Sequence, residues 1–282
     1  MSMLKTEQQQ QQENLYVTVG DQRLWVSIRD RKLGQGRGAG VPLLLIMGFG
    51  GNLQLWRPLR EALGPYETVA FDLPGVGRSP AGRTLTRAPA VAAMVEKMLD
   101  VLGYDEVDVL GVSLGGGLAQ ELAHRIPKRV RRLVLCGTAA GAFGVPAGLP
   151  AIIALANLRR RGGLWSPSKV GTAIFGGTSM KGKIGMEQTM QTLMGGLPTF
   201  RGSLSQLYAV STWTSLPWLR SLKQPTLVLS GDDDHVVPLP NARLLKLMIP
   251  HSRLYIVHGA GHLLLGTHAD EAAAVIRDFL KS

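Results

Sequence analysis

Along this chain of 282 residues, short apolar runs recur that are too brief for helices, and most are followed by a stretch with helical spacing. The runs are Pro42–Met47 (PLLLIM), Thr68–Phe71, Val107–Val112, Arg131–Cys136, Thr226–Leu229 and Leu254–Val257. None shows the strict apolar–polar alternation of a strand with one wet face. A largely continuous apolar strand is buried on both faces, which requires helices on both sides of a parallel sheet. Leu55, Leu59 and Leu63, the stretches Val91–Leu102 and Leu114–His124, a helix near Asn241–Leu247 and a closing helix at Ala269–Leu280 supply that cover. The alternation predicts an α/β protein with a mostly parallel central sheet flanked by helices. Ahead of it, Leu15–Val19 and Leu24–Ile28, joined through Gly20-Asp21, read as an antiparallel hairpin.

The rhythm breaks between residues 141 and 213, where Gly, Pro and helix-like pieces occur without a convincing strand. The expected organisation is a core of residues 15–140 and 214–282 with a helical lid, 141–213, inserted between two strands. Residues 1–14 are expected to form a disordered tail, because the polar tract Gln8–Gln12 has too little apolar surface to order itself. The N-terminal stretch lacks the basic and apolar regions of a secretory signal, which with one thiol points to the cytoplasm. That thiol, Cys136, excludes a disulfide framework and a cysteine-based zinc site. No run of 18 apolar residues is present to cross a membrane. The formal charge of +11 raises nucleic acid as a partner, but no recognition helix, zinc finger or RRM signature accompanies it, and none is expected to bind. The sequence carries no signal for an oligomeric state.

Gly111-Val112-Ser113-Leu114-Gly115 falls where a strand ends and a helix begins. A sharp strand-to-helix turn needs small neighbours around the residue it projects, and the helix N-terminus behind it stabilises developing negative charge. Ser113 is therefore the candidate nucleophile. A serine hydroxyl needs a base, and in this arrangement the acid and the base follow the serine along the chain. His262, after the strand Leu254–Val257 and before the last helix, is the candidate base. Asp234 is the candidate acid, three residues beyond Gly231 and four before Pro238; Asp232 and Asp233 are expected to be solvated or to cap the next helix. Of the other histidines, His124 falls inside a helix, His251 follows Pro250 in a loop, His258 ends a strand, and His235 and His268 are expected at the surface. Acyl transfer also needs two N–H groups aimed at an oxyanion. Leu114, next to the nucleophile, offers one; Phe49, in the turn Met47-Gly48-Phe49-Gly50, offers the other by position. Neither glycine pair, 48/50 nor 75/77, continues as a dinucleotide fingerprint, and the chemistry requires no cofactor and no metal.

These parts in this order identify the chain as a member of the α/β-hydrolase fold. More narrowly, it resembles intracellular medium-chain-length polyhydroxyalkanoate depolymerases over most of residues 41–265. The likeness lies in Met47-Gly48-Phe49-Gly50-Gly51-Asn52 with Leu55-Trp56, and in Phe71-Asp72-Leu73-Pro74-Gly75-Val76-Gly77. It continues through Gly111-Val112-Ser113, Gly137-Thr138-Ala139-Ala140-Gly141, Phe175-Gly176-Gly177, Trp213-Thr214-Ser215 and Gln224–Leu229, then Gly231–Asp234 and Gly261-His262-Leu263. Two departures matter: Leu114 stands where that family would carry an aromatic residue, and the expected lid matches poorly apart from scattered positions such as Phe175-Gly176-Gly177. The resemblance implies a Ser113, Asp234, His262 triad and, as substrate, a polyester of 3-hydroxy fatty acids stored in cytoplasmic granules.

Within the expected lid, Met186, Met190 and Met194 recur every four residues and would share one helical face, suited to variable acyl chains. Residues 141–215 carry seven basic residues against one acidic residue, Glu187, a balance that suits docking on an anionic granule or lipid surface. Two other functions fit the same residues: a carboxylesterase or lipase for small or monomeric lipid esters, and a granule- or ligand-binding protein without catalysis.

Overall fold

The computed structural model describes residues 12–30, 40–142, 144, 145, 147, 174–177 and 198–282. Its strands among those residues are β1 (Gln12–Val19), β2 (Gln22–Arg29), β3 (Leu43–Ile46), β4 (Thr68–Phe71), β5 (Val107–Val112), β6 (Val130–Cys136), β7 (Thr226–Gly231) and β8 (Ser252–Val257). The helices are α1 (Arg57–Leu63), α2 (Ala88–Leu102), α3 (Leu114–Arg125), α4 (Phe200–Ser211), α5 (Leu239–Met248), α6 (Leu264–Thr267) and α7 (Ala269–Lys281). The strands form one sheet in the order β1-β2-β4-β3-β5-β6-β7-β8. From β4 to β8 every neighbour is parallel, while β1 and β2 join antiparallel at one edge.

The continuous apolar strands β3, β4, β5 and β7 and the apolar half of β6 are buried on both faces, as their composition demands. At the sheet edge, β8 instead leaves Tyr255 exposed and Leu254 and Ile256 half-buried. Leu44 and Ile46 of β3 and Leu133 and Leu135 of β6 enter one core layer, which includes buried residues of α2, α3 and α5. Leu43, Leu45, Val134 and Cys136, the alternate residues, enter a second layer with α1 and α7. In α7, Ala269, Ala272, Ala273, Ile276, Phe279 and Leu280 are the buried positions, a stripe of helical period that closes this second layer. The edge hairpin begins earlier than its apolar pattern suggests. Gln12, Glu13 and Asn14, assigned above to the tail, pair with Arg29, Ile28 and Ser27, because backbone pairing continues along β2 whatever the side chains are.

The interrupted interval leaves and returns at one place. Gly141 and Thr214 form an antiparallel bridge, the Ala142 amide donates to the Trp213 carbonyl at 2.9 Å, and the Ser215 amide donates to the Ala140 carbonyl at 2.9 Å. Buried Gln120 of α3 fastens this neck: its Nε2 donates to the Ala139 carbonyl at 3.0 Å, and Ser215 Oγ donates to its Oε1 at 2.7 Å. Met186, Met190 and Met194, with most of residues 143–197, lie outside the described residues. Among the described residues, no helix is long and apolar enough to cross a membrane.

Candidate active site

Ser113 follows the last residue of β5 and precedes α3, with φ 54° and ψ −123°. A non-glycine residue at positive φ costs about 1–3 kcal/mol and persists only where its surroundings enforce it. The two glycines of the motif supply the enforcement. A β-carbon on Gly111 would lie 2.2 Å from the Gly115 carbonyl oxygen, and one on Gly115 would lie 2.1 Å from that of Ile46. Strand end and helix start thus touch backbone to backbone, and the residue between them is forced outward. Its amide donates to the Cys136 carbonyl at 3.0 Å, and Thr138 Oγ1 donates to its carbonyl at 2.7 Å. Although Ser113 is the N-cap of α3, its hydroxyl makes no capping bond, so the oxygen is not spent on the helix.

His262 and Asp234 come together from loops after β8 and β7. Nδ1 of His262 stands 2.8 Å from Asp234 Oδ2, and both side chains are buried. The other carboxylate oxygen accepts the amides of Val236 and Val237 at 2.9 and 2.8 Å, which fixes the acid's orientation. Gly137, one residue beyond the carbonyl that Ser113 binds, lies against the pair. A β-carbon there would sit 3.3 Å from Asp234 Oδ2 and 3.4 Å from His262 Nδ1. Among the described residues no hydrogen bond joins Ser113 Oγ to the His262 ring; such contacts are often long before substrate binds.

Neighbouring acids and histidines are used elsewhere. Asp232 accepts the Gly259 amide at 2.7 Å and pairs with His258 Nδ1 at 2.7 Å, a bond that holds its carboxyl below the usual range. Asp233 accepts the Gly177 amide at 2.8 Å and faces His235 at 3.3 Å. His268 corrects the surface placement expected for it: it is 3% exposed, because the single turn of α6 directs it inward to Thr267. Cys136 is fully buried, and burial, with Asp234 nearby, pushes its thiol up and away from the reactive thiolate.

The turn after β3 lies against the serine. A β-carbon on Gly48 would be 3.0 Å from Ser113 Cβ and 3.6 Å from its Oγ. Gln206 of α4, 6% exposed, accepts the Gly50 amide at 2.8 Å and so ties this turn to the helix that ends the inserted segment. No hydrogen bond among the described residues occupies the Phe49 or Leu114 amide. Sequence reasoning did not single out Gln206, since 156 residues separate it from its partner. Another contact reaches His262 from within the insertion: Phe175 stacks on its ring at 6.3 Å, and the Phe175 carbonyl accepts the His262 amide at 2.7 Å.

Beside Ser113 opens a cavity of about 340 Å³, lined by apolar groups of Phe49, Leu114, Leu118, Leu207, Val210, Trp213, Val236 and Val237. Its Trp213 wall is held in place, with Nε1 donating to Glu121 Oε2 at 2.7 Å and the ring packed over Gly117. A serine hydroxyl free of the helix cap, a buried imidazole–carboxylate pair, two amides unoccupied among the described residues and an apolar cavity suit attack on a carbonyl that carries an apolar chain. Among the described residues, no group of three His, Cys, Asp or Glu side chains is arranged to hold a metal ion.

Comparison with known proteins places these features in context. A family model described as the alpha/beta hydrolase fold matches residues 41–269. A poly(3-hydroxyalkanoate) depolymerase of Ectopseudomonas oleovorans is 43% identical over 243 residues, covering 86% of this chain and 84% of that protein. A 2-hydroxymuconate semialdehyde hydrolase of Pseudomonas putida is 30% identical over 263 residues, covering 86% of this chain and 88% of that protein. Among solved structures, an esterase of Exiguobacterium antarcticum matches with a TM-score of 0.77 at 20% identity, over 96% of this chain and 100% of that one, a likeness of fold alone.

Proposed function

The chain belongs to the α/β hydrolase fold family, and from that premise we propose that it is a serine hydrolase that cleaves the ester bonds of a poly(3-hydroxyalkanoate). What supports the reaction is Ser113, at positive φ on a helix start, together with a buried His262–Asp234 pair that packs against Gly137, next to the Cys136 carbonyl bound by the Ser113 amide. The observation that carries the substrate is the 43% identity to a depolymerase of that polymer.

In this reading Ser113 Oγ attacks the ester carbonyl while His262 takes its proton on the ring nitrogen that Asp234 does not hold. Asp234 fixes the ring's orientation and stabilises its charged form. The Phe49 and Leu114 amides receive the oxyanion, aided by the α3 N-terminus. His262 then gives that proton to the departing ester oxygen, so that the polymer chain leaves as an alcohol and the acyl group stays on Ser113. His262 next activates a water, which releases the 3-hydroxy acid and restores the serine. The apolar cavity takes the acyl side chain, and the basic segment 141–215 is the face offered to an anionic granule surface in the cytoplasm.

The test is release of soluble 3-hydroxy acids from a medium-chain polymer suspension, run beside a nitrophenyl ester series from acetyl to dodecanoyl. Polymer and ester cleavage should both vanish in Ser113→Ala. Asp234→Asn should lower kcat by about 10⁴-fold, since the amide mispositions the imidazole. Ester cleavage without polymer release would favour the second reading, a small-ester carboxylesterase, which a cavity of about 340 Å³ accommodates. Turnover equal in wild type and Ser113→Ala would remove the triad assignment.

A further inference from the structure

A second cavity, of about 640 Å³, shares no lining residue with the one at Ser113. Arg29, Arg57, Arg60 and Arg78 line it, against the carboxylates of Glu61 and Asp72. Two of these cations are inside the protein. Arg60 of α1 is 6% exposed, and it donates Nη1 to Ser27 Oγ and Nη2 to the Ser27 carbonyl, both at 2.9 Å, while its Nε has no partner. Arg29 of β2, also 6% exposed, leaves Nη2 without one. Asp30 lies against Arg29 itself, its Oδ2 3.3 Å from Nε, and Glu61 pairs with Arg57 at 2.8 Å, so the uncompensated buried cation is Arg60. Asp72 accepts the amides of Leu53 and Arg78 at 2.8 and 2.9 Å.

A buried guanidinium bonded only to neutral acceptors is costly, and a second buried guanidinium beside it adds repulsion. Burial holds the Arg60 pKa down at about 10, with Arg29 lowering it further and Asp30 pulling the other way. Both costs fall when an anion enters. The space far exceeds one inorganic ion and is of the size that takes organic ligands.

We propose that this cavity binds a small organic oxyanion, a carboxylate or a phosphate ester, seated on Arg60 Nε and Arg29 Nη2 with Arg57 and Arg78 at its rim. Guanidinium forks match the paired oxygens of either group. The site is independent of the reaction assigned to Ser113.

Calorimetric titration of the full chain, at fixed chloride and ionic strength, tests it with four probes: inorganic phosphate, glycerol 3-phosphate, acetate and 3-hydroxybutyrate. At least one should bind saturably, equally well in Ser113→Ala, and roughly tenfold or more weaker in Arg29→Gln and Arg60→Gln. Preference among the probes assigns the phosphate or the carboxylate. Because Arg60 also anchors Ser27, the exposed Arg78→Gln serves as a variant that keeps the fold, and severalfold weaker binding is expected there. Absence of saturable binding by all four probes would overturn the proposal, as would binding left unchanged by both Arg29→Gln and Arg78→Gln.

Discussion

Replacing Gly115 with alanine should damage stability and catalysis together, for one geometric reason. The added carbon would stand 2.1 Å from the Ile46 carbonyl oxygen and 2.6 Å from that of Met47. An ordinary carbon–oxygen approach is about 3.3 Å, so α3 and the end of β3 must separate by about 1.2 Å. Both offending atoms are backbone in the centre of the sheet, and no rotamer change relieves them. Overpacking of this kind costs about 1–3 kcal/mol, and with rigid partners the upper end applies. Alanine's better helix propensity returns up to about 1 kcal/mol, leaving a net loss of roughly 2 kcal/mol. The displacement falls between Leu114 and the Met47–Gly50 turn, which are the proposed oxyanion donors. A misplacement of about 1 Å at a reacting centre is enough for about a hundredfold loss of rate. Urea unfolding followed by circular dichroism, beside hydrolysis of a nitrophenyl ester, measures both. An alanine variant with unaltered midpoint and kcat would show that the backbone contact does not shape the elbow, and the reasoning above would fail.

Three further outcomes follow from the same geometry. Gln206→Leu removes the acceptor of the Gly50 amide; it should lower kcat at least tenfold with little change in KM, at about 1–3 kcal/mol for the buried amide left unpaired. An unchanged kcat would show that α4 does not position the turn. Trp213→Ala takes away a wall of the cavity and should cost about 3–5 kcal/mol while moving the ester preference toward longer acyl chains, read from kcat/KM across the nitrophenyl series. A preference that stays put would place acyl selection elsewhere. Cys136, with its thiol pushed up by burial, should resist a disulfide reagent in native buffer through mildly alkaline pH and react fully in denaturant, and rapid native labelling would contradict its placement in the core.

How far the site could be read in advance differed from residue to residue. The turn at Ser113 was legible because it depends on local backbone: strand, turn and helix are contiguous, and the glycines that permit the turn are close by in sequence. The pairing of His262 with an aspartate was legible because both are loop residues after strands of a parallel sheet. Choosing among Asp232, Asp233 and Asp234 rested on spacing, whereas the physical distinction is where each carboxylate finds its donors. Only Asp234 meets the buried imidazole; its neighbours meet His258 with Gly259, and Gly177 with His235. The expectation for His268 failed because a histidine beside a charged helix start looks solvated, and the turn that buries it is a tertiary event.

By itself, the sequence determined the sheet, its helical cover and the sharp strand-to-helix turn at Ser113, since these follow from periodicity and from contacts a few residues apart. The tertiary structure alone decided which distant groups meet. Gln206 reaches Gly50 across 156 residues, Phe175 stacks on His262 across the insertion, and Arg60 turns from an unremarkable helix position into a buried cation beside Arg29. No local pattern encodes such meetings. They arise when strands ordered 2-4-3-5-6-7-8 bring loops of remote origin to one end of the sheet and pack α1 beside β2. A polar side chain's role is then set by the partners that burial leaves within reach.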